Sequence, residues 1–255
     1  MSVRIDLTGK SLLVVGASSG LGRAIGLEAA RAGARVALAA RRLERLEEAA
    51  AEAGPEAIAI RCDVTDASDC RSVVERTAGT FGGLDGFVYA TGMSPLAMLE
   101  EASQEEWRAV LDTNLIGASL VTAAALPHLR RARGRAVYLS SYAVRRCLPG
   151  LGLYRASKVA LDGMIEGWRT EHPDVDFTRI VVGNTLGSEF ADAWPAERRD
   201  RIIRIWFERN LLPAPTAMPP RSLAEAVLSV FAITGYVDDL AVMPRQTDPP
   251  AGSEV

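Results

Sequence analysis

The chain has 255 residues, 48% of them hydrophobic and 24% charged, with a net charge of −3. That is the profile of an ordinary globule, long enough for one large α/β domain, without the basic field that draws a protein to nucleic acid or acidic lipid. Cys62, Cys70 and Cys147 are odd in number and lack metal-ligand spacing, and only His128 and His172 accompany them, so they read as reduced thiols of a cytoplasmic protein with no bound metal.

From the N-terminus, the first apolar run (12–15) is too short for a signal or membrane segment. Strand candidates follow at 11–16, 35–40, 57–62, 86–91, 135–140, 177–182 and 240–244, apolar on both faces as buried parallel strands are. Helical patterns lie between them at 20–32, 42–53, 66–80, 103–130 and 152–171. Such alternation predicts right-handed βαβ units and an α/β fold: a Rossmann-like, doubly wound parallel sheet of about seven strands with helices on both faces. No repeat or long linker interrupts it, so 1–255 reads as one domain. The stretch 189–220 breaks the rhythm with a proline-flanked helical piece carrying Trp194, Trp206 and Phe207.

The first strand runs into "VVGASSGLG", which puts Gly16, Gly20 and Gly22 at a strand-to-helix junction. Gly16 can make the tight turn. Gly20 and Gly22 lack the Cβ that would hold a pyrophosphate off the backbone and the helix N-terminus. The second strand ends in Ala40, Arg41 and Arg42, where an NAD-preferring site usually has a carboxylate. Nothing there repels a 2′-phosphate, and a guanidinium can grip it bidentately. Two cations opening a helix also oppose its dipole and call for an anionic partner. NADP(H) is therefore expected ahead of NAD(H), with Arg23 assisting from the other side. Asp63, ending the third strand, can accept from an adenine amino group or cap the following helix.

Lys158 is one of two lysines among 27 arginines, and Tyr154 precedes it by four residues. On a helix the two share a face. A free phenol titrates near pH ~10, and a unit charge about 4–5 Å away at a dielectric near 20 favours phenolate by roughly 3–4 kcal/mol. Lys158 is thus expected to bring the phenol toward working range. Ser141 lies upstream at a strand's carboxyl end, where open α/β sheets bind ligands. Asn114 is a polar residue inside an apolar helical stretch, which suggests a local hydrogen-bonding task.

Together these residues resemble the short-chain dehydrogenase/reductase family, in its compact single-domain branch. The G-x3-G-x-G loop falls on Gly16, Gly20 and Gly22, and the family's Asn–Ser–Tyr–Lys tetrad on Asn114, Ser141, Tyr154 and Lys158. The resemblance implies carbonyl–alcohol interconversion. Tyr154 would be the general acid or base and Ser141 would orient the substrate oxygen. Lys158 would bind the nicotinamide ribose, and Asn114 would hold a water leading to solvent. It extends the expected cofactor cradle to Ser18, Ser19, Leu21, Asp63, Val64, Ala90, Gly92, Gly183 and Ser188. Val15, Ala90 and Val182 depart from the family's usual Thr, Asn and Pro, which touches positioning rather than the tetrad. Two other readings compete: a non-catalytic NADP-sensing regulator, and a cofactor-independent halohydrin dehalogenase. Lys158 and the glycine loop oppose the second, because such enzymes carry arginine and a rebuilt loop.

In this family the region 189–220 would form a mobile substrate lid. Its apolar residues, Trp194, Ile202, Ile203, Ile205, Trp206, Phe207, Leu211 and Leu212, suit a small-molecule substrate with a hydrophobic part, or equally a helix packed on the core. Arg145 and Arg146 read as exposed loop cations. Relatives assemble through the long helices, so a homodimer or homotetramer is expected.

Overall fold

Each strand candidate forms, and each pairs parallel to its neighbours. The computed structural model describes residues 5–187, 189–192, 194–211 and 216–245. Its strands are β1 (Ser11–Val15), β2 (Arg35–Ala40), β3 (Ala57–Arg61), β4 (Gly86–Tyr89), β5 (Arg135–Ser141), β6 (Asp176–Val182) and β7 (Asp239–Val242). They make one seven-stranded sheet in the order β3-β2-β1-β4-β5-β6-β7. The order reverses between β1 and β4, which pair in register from Leu12↔Gly86 to Val15↔Tyr89. The loops leaving those two strands therefore diverge, opening a crevice at the sheet's carboxyl edge.

The helices are α1 (Gly20–Arg31), α2 (Leu43–Ala53), α3 (Ala67–Phe81), α4 (Gln104–Leu111), α5 (Gly117–Ala132), α6 (Gly152–Glu171), α7 (Ala196–Glu208) and α8 (Pro220–Ala232). Side-chain alternation splits the core in two. Leu13, Val15, Phe87, Tyr138 and Phe177 pack under α3, α5 and α6, whereas Leu12, Val14, Val88, Val137 and Ile180 pack under α1, α2 and α8. Burial on both faces explains why the strands read as continuous apolar runs.

Two elements differ from expectation. The single helix foreseen over 103–130 is interrupted at 112–116 by a π-helical turn. Its centre is Asn114, whose side chain is drawn into contacts beyond the helix. The second is α8, which Pro220 opens at the first helical position, where a missing N–H costs nothing.

Candidate active site

The described site residues gather along one edge of the sheet because most sit at or just beyond a strand's carboxyl end. Gly16 to Gly22 follow β1, Arg41 and Arg42 follow β2, and Asp63 and Val64 follow β3. Ala90 and Gly92 follow β4, Ser141 ends β5, and Gly183 follows β6. Tyr154 and Lys158 face this edge from α6, and Asn114 from the π turn. Ser188 lies outside the described residues.

In the glycine loop, Gly16 has φ +94°, and a Cβ there would meet Thr91 N at 2.8 Å. Gly20 has φ +52° as α1 begins. Gly22 has a different reason from the one expected: its Cβ would strike Gly16 O at 2.2 Å, so it lets helix and turn pack together, with no pyrophosphate needed to explain it. Ser19 occupies the N-cap of α1 without a side-chain cap bond. Arg42 spans this loop from the end of β2, donating from Nη2 to Ser18 Oγ (3.0 Å) and Ser19 Oγ (2.7 Å). A guanidinium and two hydroxyls thus meet beside the end of β2. Arg41 is exposed next to them.

Arg23 does not join this group. It pairs with Glu52 at 2.5 Å, drawn toward the end of α2. Asp63 is not the cap of the next helix either. Asp66 takes that place, accepting from Ser68 N and Asp69 N, while the Asp63 carboxylate accepts from Thr65 N and Oγ1.

The tyrosine and lysine of the expected tetrad are buried. Tyr154 is 9% exposed and Lys158 3%. Burial pushes the Tyr154 phenol up to about 12, opposed by the nearby Ser141 hydroxyl. The expected depression by Lys158 is not what governs this phenol. The ammonium is 5.8 Å from the ring centroid and donates to Leu139 O at 2.7 Å, so burial prevails. Burial also brings Lys158 down to about 8, with the Asp162 carboxylate opposing. Asn114 is fully buried, its amide clamped on Met93: Nδ2 donates to Met93 O (2.9 Å) and Met93 N donates to Oδ1 (2.8 Å). The same Nδ2 donates to Ser157 Oγ (2.9 Å), tying the post-β4 loop to α6. Both ends of the amide that was expected to hold a water thus have protein partners.

A Cβ on Gly92 would lie 3.5 Å from Lys158 Nζ and 3.6 Å from Asn114 Oδ1.

The sequence profile described as short chain dehydrogenase matches residues 10–198, a span holding the loop, the tetrad and the crevice. The chain belongs to the short-chain dehydrogenase family. It is 39% identical over 184 residues to 11-beta-hydroxysteroid dehydrogenase A of Sesamum indicum, covering 70% of this chain and 53% of that one. It is 41% identical over 184 residues to 11-beta-hydroxysteroid dehydrogenase 1A of Arabidopsis thaliana, with the same coverage. The chain thus spans about half the length of these plant relatives. Among solved structures it resembles an alcohol dehydrogenase from the archaeon Thermococcus sibiricus, complexed with 5-hydroxy-NADP (TM-score 0.79, 28% identity, covering 91% of this chain and 95% of that one). It also resembles a dehydrogenase/reductase from Sinorhizobium meliloti 1021 (TM-score 0.80, 27% identity, covering 94% and 96%).

Several neighbours of the family's tetrad escaped sequence reasoning. Phe190 meets the Tyr154 ring edge-on at 4.9 Å, and Trp194 meets Phe190 at 5.6 Å. Nothing local in the sequence signals these contacts, since the chain brings Phe190 from beyond β6. Ser157 was also missed. Asp162 was visible in principle, because 154, 158 and 162 are successive i+4 positions on one helical face. The inner face of α7 sets Ile202 and Trp206 against Leu96 and Leu151, so that part of the lid region is packed. Arg145 and Arg146 are exposed, as expected.

Proposed function

We propose that this chain is an NADP(H)-dependent oxidoreductase that interconverts a carbonyl and a secondary alcohol, with Tyr154 as general acid and base. The observation that carries the reading is the grouping of the Ser141 hydroxyl, near enough to the Tyr154 phenol to favour its charged form, with the Lys158 ammonium 5.8 Å from the phenol ring. Two hydroxyls converging on one point can donate to a carbonyl oxygen as it gains negative charge. With its phenol held up to about 12, Tyr154 is fully protonated near neutral pH and stands ready as the acid for reduction. Ser141 orients the oxygen, and Asn114 fixes the loop and helix that frame the site.

The crevice fits a dinucleotide. Gly16 and Gly22 make a turn no side chain could replace. Arg42, Ser18 and Ser19 would hold a 2′-phosphate, the loop amides a pyrophosphate, and Lys158 the ribose hydroxyls. When bound, the nicotinamide supplies or accepts the hydride. The absence of a carboxylate after β2 supports NADP(H), as does the NADP analogue bound to the archaeal relative. The aromatic wall of Phe190 and Trp194 beside Tyr154 supports a substrate with a bulky apolar part, in keeping with the hydroxysteroid names of the plant relatives. Cys62, Cys70 and Cys147 are free thiols, which supports a reducing, cytoplasmic setting.

The test is Tyr154→Phe, assayed with NADPH and NADH over a panel of ketones and alcohols. Turnover should fall by about 10³-fold or more while cofactor binding, followed by fluorescence, survives. A variant that keeps its activity would refute the role of Tyr154, and tighter binding of NADH than NADPH would refute the cofactor preference.

A further inference from the structure

Behind the face that Lys158 shows to the crevice lies a second charged group that the reaction as described does not use. Asp162 follows Lys158 by one helical turn and is 9% exposed. Its Oδ2 is 3.3 Å from Arg179 Nη1 on β6. Arg179 in turn makes a two-toothed bond to Asp239 directly across on β7, at 2.7 and 2.5 Å. Asp162 Oδ1 and Ser140 Oγ are both buried, and neither meets hydrogen-bond geometry with any described residue. Burial raises the Asp162 carboxyl above its ordinary range, while the nearby Ser140 hydroxyl and the Arg179 and Lys158 cations favour its charged form. A buried carboxylate costs free energy unless something uses its charge. From β5, Leu139 gives Lys158 a carbonyl; from the post-β4 loop and the π turn come Gly92 and the neutral amide of Asn114. Tyr154 is a neutral phenol. Asp162, buried one turn further along the same face of α6, is the carboxylate placed to favour the charged form of Lys158.

We propose that Asp162, anchored by Arg179, is a positioning residue that keeps the buried Lys158 side chain charged and so able to serve the crevice. The inference deepens the proposed function and rests on it for its catalytic meaning. Burial alone drives the ammonium toward its neutral form, and the carboxylate one turn away opposes that drive. Removing the carboxylate leaves the drive unopposed, so Lys158 loses its proton at a lower pH.

Lys10 and Lys158 are the chain's two lysines, which makes the test direct. In protein labelled with ¹³C at lysine Cε, two signals are expected, and Lys10→Arg assigns them. The Lys158 signal should titrate near pH 8. In Asp162→Asn its midpoint should fall by at least about half a pH unit, and Asp162→Glu should restore most of the loss. The alkaline limb of kcat against pH should move in the same direction, a displacement that a merely structural role would not produce. If Asp162→Asn does not fold, Lys158→Met reads the same coupling from the other side: a buried carboxyl signal should then titrate higher than in the parent. A Lys158 midpoint unmoved in folded Asp162→Asn, or no carboxyl shift in Lys158→Met, overturns the inference. Absence of any carbonyl turnover would instead defeat the proposed function and leave the lysine titration to decide this point.

Discussion

Arg42 shows how much one side chain can set in this fold. It stands at the N-cap of α2, where a cation meets the positive end of the helix dipole, and it turns from the helix toward Ser18 and Ser19. A cation kept where the dipole disfavours it, among hydroxyl groups, is suited to an anion. Arg42→Ala should weaken NADPH by about tenfold or more, roughly 1.4 kcal/mol, and leave NADH nearly untouched. Equal losses for both cofactors, measured by fluorescence titration, would assign Arg42 to holding the loop instead. At this scale the sequence was informative where chemistry follows from spacing: Tyr154, Lys158 and Ser141 declare themselves by helical period and strand end. It was less so where tertiary neighbours decide. The packing of Gly22 on Gly16, the turning of Arg23 to Glu52 and the burial that governs the Tyr154 phenol depend on segments that only folding brings together.

Among the elements, α7 shows which of two forces holds a candidate lid. Its outer side carries a bidentate Arg201–Glu101 pair at 2.5 Å and an Arg198–Glu106 pair at 2.7 Å. Its inner side buries Ile202 completely and Trp206 to 7% exposure, and the Trp206 indole donates to Pro149 O. Partly exposed ion pairs contribute about 0.2–1 kcal/mol each, whereas truncating a buried Ile costs about 2–5 kcal/mol. The apolar seam therefore dominates. Ile202→Ala should raise KM for an apolar substrate well beyond the change made by Arg201→Ala, which should stay within about threefold. The opposite order in steady-state kinetics would put the ion pairs in charge. The start of α4, expected near residue 103, is fixed by the Ser103–Glu106 capping box. The π turn was not legible in the sequence, because Asn114 is held by Met93, 21 residues earlier in the chain.

At the scale of the molecule, an apolar strip remains outside the two buried layers. Leu115, Ile116, Ser119 and Leu120 of the π turn and α5 join Ala160 and Met164 of α6 around a shallow groove of about 470 Å³. Ile116 and Val159 are each nearly half exposed. Apolar surface on adjoining helices supports pairing with a second copy of the chain. Light scattering at micromolar concentration should report a dimer or tetramer, and Ser119→Arg, which drives a charge into the groove, should shift it toward monomer. A parent protein that runs as a monomer refutes the assembly. The sheet was the most legible feature of all, since seven apolar runs separated by helical patterns admit few other arrangements. The strand order, with its reversal beside β1, explains why residues scattered from 16 to 183 converge on one edge.

That arrangement has a practical side. Lys158 is only 3% exposed, so Lys10, with nearly half of its side chain exposed, is the lysine amine this protein most readily offers to a reagent in solution. Lys10 immediately precedes β1 and so stands at the opposite edge of the sheet from the crevice. Amine-directed coupling through it would hold the molecule by its back, with the mouth of the site turned outward.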